Sequence, residues 1–371
     1  MLYYLELNFR LVNNSVGRKR KNKMRNEKYR VLVPDAQFAD DAEVERNLAS
    51  EWVDYDIRRV RQSSFISDED WASCDALQVW HEVPIDKPLL AKLDQCRLIV
   101  RCGVGYDHID LEAAGRAGIP VCNTPDYGTS EVADHAMGLM LMLVRGIVTL
   151  HRELTEDPVG NYVTARTPPL MRRIRGTRLG LVGLGRIGTA TALRAKAFGM
   201  QVYAYDPYLA RGAEIALGIE RVDSIDEILT GCPIVSLHVP LTSETHEIIN
   251  KKSIKKMNPN SILINTARGG IVDLDAIHDA LYHKEIGAAA LDVLPEEPPN
   301  DSHPLMLAFK NQPDWIKDRL ILTPHSAWNS PESRYDARAK STETLLAMFL
   351  HNELRNCVNF EHLNRAKQKL M

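Results

Sequence analysis

A chain of 371 residues is long for one small module and suits two domains of about 100–200 residues each. Hydrophobic residues at 44% and charged residues at 26% argue against disorder, and the lack of a G-X-Y period excludes collagen. The formal net charge of −3 gives no overall pull toward nucleic acid or an anionic membrane, so neither is expected as a partner.

Cys74, Cys96, Cys102, Cys122, Cys232 and Cys357 are scattered, with no C-x-x-C pair. Neither a disulfide framework nor a metal site is expected, and Cys102 and Cys122 read as inert strand residues. No apolar run is long enough to span a membrane. With the cysteine pattern this reads as cytoplasmic. Residues 1–30 hold nine Lys/Arg and two Glu, a net of +7, leaving −10 for the remainder. The cluster Arg18-Lys19-Arg20-Lys21 has the composition of a nuclear or nucleic-acid signal. The simpler reading is a basic disordered tail over 1–27, with Met24 as an alternative start. Residues 362–371 read as a frayed polar end.

Between these ends, strands alternate with helices, the pattern of parallel sheets with helices on both faces. Strands are expected at 29–34, 76–79, 97–101 and 119–122. Helices are expected at 41–52 and 111–117. The longest helical candidate, 130–153, is apolar nearly all round, with Ser130 or Thr129 as N-cap. So much apolar surface implies burial on several sides, a second subunit included. After a polar, proline-containing loop at 157–175 the alternation resumes. Strands follow at 179–182, 201–205, 234–238, 261–265, 288–291 and 320–322, with helices at 186–198, 225–229, 275–283 and 332–352.

Gly183-Leu184-Gly185-Arg186-Ile187-Gly188 is G-x-G-x-x-G between an expected strand and an expected helix. Gly183 suits the tight turn, Gly185 the close approach of a pyrophosphate, and Gly188 tight packing, with the helix N-terminus facing the phosphates. The next strand ends at Asp206, 18 residues after Gly188. An acid there hydrogen-bonds ribose hydroxyls and repels a 2′-phosphate, which favours NAD over NADP. Because the loop starts at residue 183, the dinucleotide-binding domain is inserted into a first α/β domain. The expected boundaries are 28–127 plus 327–361 for the substrate domain and 128–326 for the NAD domain.

Three later strand ends carry chemistry. Arg268, in Asn265-Thr266-Ala267-Arg268-Gly269-Gly270, offers a planar fork to a carboxylate. Glu296 and Glu297 follow Asp292, and His325 sits in Thr323-Pro324-His325-Ser326-Ala327-Trp328. Hydride transfer to a carbonyl needs a proton donor for the oxygen, and a histidine beside a carboxylate is suited to it. Ligands of open α/β sheets bind beyond the carboxyl ends of strands, where these residues lie.

These motifs, in this order, resemble the D-isomer-specific 2-hydroxyacid dehydrogenase family over 28–361. Within it the chain is most similar to the C-terminal-binding-protein branch of NAD-dependent corepressors, on residues 101–107, 193–199, 205–209, 325–328 and 356–359. The resemblance implies two Rossmann-like domains with parallel sheets, flavodoxin-like plus dinucleotide-binding. It implies hydride transfer between nicotinamide and C2 of a small D-2-hydroxy or 2-oxo acid. His325 would be the acid/base, Glu297 its partner, and Arg268 would bind the substrate. Val104 and Gly105 would hold the substrate carboxylate through backbone N–H groups, with Arg101, His81 and Trp328 bordering the pocket. NAD would rest on Gly183, Gly185, Arg186, Ile187, Gly188, Asp206, His238, Val239, Pro240, Thr266, Ala267, Arg268 and Asp292. A homodimer would form through the helix at 130–153. 3-Phosphoglycerate is disfavoured as substrate, because no extra basic residues mark a phosphate site. The alternative function is an NAD(H)-gated, dimeric protein-binding module of the corepressor type.

Overall fold

The structure, a computed structural model, describes residues 27–363. The expected basic tail lies outside the described residues except for Glu27, as does the C-terminal end from 364. His362 and Leu363 belong to a helical turn begun at Phe360, so the fraying expected from 362 does not begin there. The described chain forms two compact units, one built from residues up to Tyr127 and from Ser330 onward, the other Gly128–Asn329.

The first unit holds five parallel strands: β1 (Tyr29–Val33), β2 (Val53–Ile57), β3 (Ala76–Val79), β4 (Leu98–Arg101) and β5 (Val121–Asn123). Their order is β2-β1-β3-β4-β5, the flavodoxin-like arrangement. The sequence reading did not find β2. Val-Asp-Tyr-Asp-Ile alternates acids with apolar residues and sits at the sheet edge, paired to β1 alone, so it carries no continuous apolar run. The helix expected at 41–52 is only Glu43–Ala49, because β2 follows close behind. Helix Pro331–His351 opens on Ser330 with a capping box and packs on Glu43–Ala49 and β4. There the buried Arg338 guanidinium meets Glu45 at 2.6 Å and Asp40 at 2.7 Å. Paired charges of this kind survive burial.

The second unit holds seven parallel strands: β6 (Arg178–Val182), β7 (Gln201–Tyr205), β8 (Glu220–Arg221), β9 (Ile234–Leu237), β10 (Ile262–Asn265), β11 (Ala288–Leu291) and β12 (Leu320–Leu322). The order is β12-β11-β10-β9-β6-β7-β8. Its direction of winding reverses between β6 and β9, the switch point at which doubly wound sheets take ligands. β9, β10 and β11 are buried on both faces, which is why they read as mostly apolar runs, broken only by Ser236 and by Asn265 at the end of β10.

The single helix expected at 130–153 is two helices, Thr129–Val144 and Ile147–Glu156, bent by 58°. Gly146 makes the break at φ +64°, a left-handed conformation that glycine adopts freely. Neither Ser130 nor Thr129 caps the first helix; its N-cap is Gly128, with no side-chain cap. This helix packs on helix Arg186–Ala197 and on β10 and β11, so its own unit buries Met137, Leu139, Met140 and Leu143. Among the described residues no single helix is long and apolar enough to cross a membrane.

Candidate active site

The loop after β6 follows from three glycines with three different surroundings. Gly183 stands at φ +92°, and a Cβ there would lie 2.6 Å from the His238 carbonyl oxygen. Gly188 faces the Gly183 carbonyl, with 2.3 Å left for a Cβ. A Cβ on Gly185 would meet nothing within 4 Å. Gly183 and Gly188 therefore close the turn on itself and on the end of β9, while Gly185 faces open space. Helix Arg186–Ala197 has Gly185 as N-cap and no side-chain cap. Its first N–H groups, from Arg186 and Ile187 onward, are left to a ligand, and the helix dipole favours an anion.

Asp206 directly follows β7, beside this loop. Its carboxylate accepts the Leu184 N–H at 2.9 Å and the Tyr208 N–H at 2.9 Å. Each oxygen keeps a lone pair for a ribose hydroxyl. Asp206→Ala is expected to narrow the NAD-over-NADP preference by about tenfold or more, through lost ribose bonds and lost repulsion of a 2′-phosphate. An unchanged ratio of the two binding constants would reject this role.

His238, Val239 and Pro240 leave the end of β9, and Thr266 and Ala267 the end of β10. Thr266 Oγ1 is buried with no hydrogen-bond partner among the described residues. Such an atom calls for a ligand donor or acceptor. His238 Nε2 lies 2.9 Å from Ser236 Oγ, and burial pushes its pKa down to about 4. Between about pH 6.5 and pH 4 an unfolded histidine takes up a proton that His238 refuses. Stability therefore falls as pH falls through that window. His238→Gln should flatten the decline of Tm between pH 7 and pH 5, and an equally steep decline in the variant would exclude His238 as its source.

The ends of β10, β11 and β12 assemble the reactive groups. Asn265 shapes the first loop: its Nδ2 donates to the Arg268 carbonyl at 2.8 Å and its Oδ1 accepts the Ala267 N–H at 3.0 Å. This buckle presents Arg268. Of the two adjacent glutamates it is Glu297 that reaches His325, with Oε2 2.7 Å from Nδ1. Glu297 Oε1 accepts the Leu294 N–H at 2.9 Å, so the carboxylate is oriented from both ends. Both side chains are partly open, at 27% for His325 and 32% for Glu297. His325 itself stands at φ +51°. A non-glycine residue held there costs of order 1–3 kcal/mol and persists only where surrounding contacts enforce it.

Those contacts come from Asp292, which is 1% exposed. Its Oδ1 accepts from Thr323 Oγ1 at 2.6 Å and from the Ser326 N–H at 2.9 Å, and its Oδ2 from the Ala327 N–H at 3.0 Å. Its carbonyl accepts the His325 N–H at 2.7 Å. Asp292, expected to touch nicotinamide, is thus also the staple of the His325 loop. His135, on helix Thr129–Val144, extends the staple: its Nε2 is 3.1 Å from Thr323 Oγ1. Since the threonine proton points to the carboxylate, His135 is the donor in this pair. The sequence reading missed Asn265, Thr323 and His135 as site residues. Thr323→Val should lower kcat about 3–30-fold with KM for NADH nearly unchanged, from a lost charge-assisted bond. Wild-type kcat in that variant would show that the staple does not position His325.

In the first unit the expected substrate residues gather at strand ends. His81 follows β3, with both ring nitrogens 3.3 Å from Gln37 Nε2. Arg101, expected to border the pocket, is 6% exposed, and its guanidinium donates to the carbonyls of Gly105, at 2.8 Å, and Cys102. It braces the loop that carries Val104 and Gly105. Asn123 Nδ2 donates to the Val104 carbonyl at 2.7 Å, fixing the loop from β5. Trp328 belongs to the second unit, in contact distance of Gly128.

Residues 137–327 match the family model described as "D-isomer specific 2-hydroxyacid dehydrogenase, NAD binding domain". The D-3-phosphoglycerate dehydrogenase of Methanocaldococcus jannaschii is 36% identical over 79% of this chain and 53% of its own length. The chain belongs to the D-isomer specific 2-hydroxyacid dehydrogenase family. It spans about half the length of the curated relatives it matches, that protein and its counterpart from Archaeoglobus fulgidus. Among solved structures, the D-lactate dehydrogenase of Aquifex aeolicus, complexed with NAD and lactic acid, aligns with a TM-score of 0.76 and 27% identity, covering 90% of this chain and 98% of that one. An NADPH-dependent glyoxylate/hydroxypyruvate reductase from Sinorhizobium meliloti aligns at 0.78 and 28%, covering 90% and 97%. The open side of Gly185, the uncapped helix, Asp206 and the orphaned Thr266 hydroxyl form a cradle that fits a dinucleotide, and with the match to the NAD-binding domain model, NAD is the cofactor. Among the described residues of this 2-hydroxyacid dehydrogenase family member, no group of three His, Cys, Asp or Glu could hold a metal ion.

Proposed function

We propose that this protein is an NAD-dependent oxidoreductase of small D-2-hydroxy and 2-oxo acids. The observation that carries this reading is the His325–Glu297 pair, held at 2.7 Å on a left-handed loop at the end of β12. With the Glu297 carboxylate at Nδ1, Nε2 is the nitrogen assigned here to exchange a proton with the substrate oxygen. The Arg268 fork binds the substrate carboxylate and draws the carbonyl oxygen toward positive charge. Val104 and Gly105 keep the role that the family resemblance implies, as N–H donors to a substrate carboxylate. When bound, NAD accepts or supplies the hydride at C2. Everything else falls to the chain: orientation, charge and the proton.

The likeness to the corepressor branch rests on short stretches of sequence. The relatives reported above carry dehydrogenase and reductase names, and a protein-binding module needs no Arg268, Glu297 or His325, so that reading is not favoured. The relatives' names return 3-phosphoglycerate to the set of substrates worth testing. A homodimer is part of the proposal. Its support is a run of exposed apolar side chains from the second bent helix into the following loop: Ile147, Leu154, Val159, Tyr162 and Val163. Exposed patches of this kind mark protein interfaces. A cytoplasmic site of action is also proposed, on the scattered, unbridged cysteines.

The test is NADH oxidation, followed by absorbance, against glyoxylate, hydroxypyruvate, phenylpyruvate, pyruvate and 3-phosphohydroxypyruvate, each the oxo form of a candidate substrate. Turnover of at least one is expected. NADH binding without turnover of any member of the panel would overturn the reading.

A further inference from the structure

We propose that Cys122 and Cys357 form a modification site, converted by a hydroperoxide into a cross-strand disulfide. The two residues face each other in an isolated antiparallel bridge between β5 and the segment after helix Pro331–His351. The Val358 N–H donates to the Val121 carbonyl at 2.8 Å, and the Asn123 N–H to the Asn356 carbonyl at 3.2 Å. These bonds flank the cysteines and make them a non-hydrogen-bonded pair. Cα atoms of such pairs stand about 4.5 Å apart with their side chains close together. A disulfide accepts Cα separations of about 4.4–6.8 Å, so the backbone need not move to close the bond.

Asn359 fixes this register. It is 1% exposed. Its Oδ1 accepts the Val121 N–H at 2.9 Å, and its Nδ2 donates to the Ile119 carbonyl at 3.0 Å. Cys357 Sγ lies 3.4 Å from the same Oδ1. The pair is thereby held face to face by bonds that oxidation leaves intact.

The two thiols are unlike, as an attacking and a resolving sulfur should be. Cys357 alone of the six cysteines, all among the described residues, is not buried. The Cys122 thiol beside it draws the Cys357 pKa down to about 7, while Cys122 is pushed up by the same contact and by burial. Thiolate character and access together select the reactive cysteine. The Cys357 thiolate attacks the outer peroxide oxygen. A sulfur–oxygen bond forms, the oxygen–oxygen bond breaks, sulfur is oxidised by two electrons, and the peroxide leaves as an alkoxide or hydroxide that takes up a proton. Cys122 sulfur then attacks the sulfenic sulfur. The sulfur–sulfur bond forms, the sulfur–oxygen bond breaks, and hydroxide leaves with the Cys122 proton as water. Two thiols and one hydroperoxide give one disulfide, one alcohol or water, and one water.

Cys74 and Cys96 also lie side by side, but both are fully buried and the Cys74 thiol is held well above its ordinary range by the Cys96 thiol and by burial. Burial pushes Cys102 up to about 12 and Cys232 up to about 11. All four are buried, out of reach of a hydroperoxide, so access selects the pair that contains Cys357.

The full-length folded protein is treated with excess hydrogen peroxide, quenched with an alkylating agent under denaturing conditions, and mapped without reductant. The expected result is a linked peptide pair containing Cys122 and Cys357, lost on dithiothreitol treatment, with four of the six thiols still alkylated. Cys122→Ser removes the resolving sulfur, so Cys357 should then carry one or two added oxygens. Cys357→Ser should leave Cys122 reduced. The proposal is overturned if wild-type Cys357 gains oxygen without forming the link, if both cysteines stay reduced, or if the linkage joins another pair. The wild-type map decides the matter even if a serine variant folds poorly.

Discussion

His325→Ala and Arg268→Ala each lower kcat for the preferred 2-oxo acid by about 10²–10⁴-fold, while NADH still binds within a few-fold of wild type. The His325 variant loses the imidazole paired to Glu297, and water replaces it as proton donor with no fixed geometry. The Arg268 variant loses the guanidinium proposed to bind the substrate carboxylate and to stabilise charge on the oxygen, so it should raise substrate KM as well. The split is informative. A residue that only shaped the fold would lower NADH affinity and kcat together. His325→Asn adds a second check, because asparagine tolerates the left-handed conformation better than most residues. That variant should be inactive yet no less thermally stable than His325→Ala. Substantial turnover in both alanine variants would remove these residues from the reaction.

Gly269→Ala is expected to disable the protein by a different route. A Cβ at this position would lie 1.8 Å from the Leu294 carbonyl carbon and 2.3 Å from the Pro295 nitrogen. Both are backbone atoms, so no side chain can swing aside. The loop after β10 is pressed flat against the loop after β11, and that contact sets the position of Arg268 relative to Glu297. Separating the two loops should cost about 3–5 kcal/mol, the range reserved for backbone collisions and large core defects. It should lower Tm by roughly 6–20 °C at about 2–4 °C per kcal/mol and abolish turnover in whatever protein remains folded. Gly270→Ala is the control, since its Cβ would meet only the flexible end of Leu241, at 3.1 Å. Equal stability of Gly269→Ala and wild type, measured by thermal melting, would show that the loops can part at no cost.

Much of this site could be read from the chain. The glycine loop was visible because its three glycines have three separate physical jobs, and the structure gives each a distinct neighbourhood. The central strands were visible because burial on both faces leaves a mostly apolar run. What escaped the reading was edge and short structure. β2 alternates acids with apolar residues, and helix Asp68–Ser73 is too short to show a period. The long apolar run from 130 reads as one helix, because apolar character persists through a bend that the left-handed Gly146 introduces.

The polar scaffold was the least legible part. His135 and Thr323 are 188 positions apart, and nothing local in either segment announces a shared proton. Arg101 reads as a charged group at a strand end, and only folding shows it turned inward to its own loop. The sequence alone determined the order of the central strands, the phosphate loop with its acid at 206, and the identities of the candidate arginine, glutamate and histidine. Those depend on local pattern and on chemistry that each residue carries with it. Tertiary structure decided which of two adjacent glutamates meets His325, how Asp292 holds that histidine in a strained conformation, and which cysteines face each other. Those are matters of distance across the sheet, which the chain fixes only when its strands pack in register.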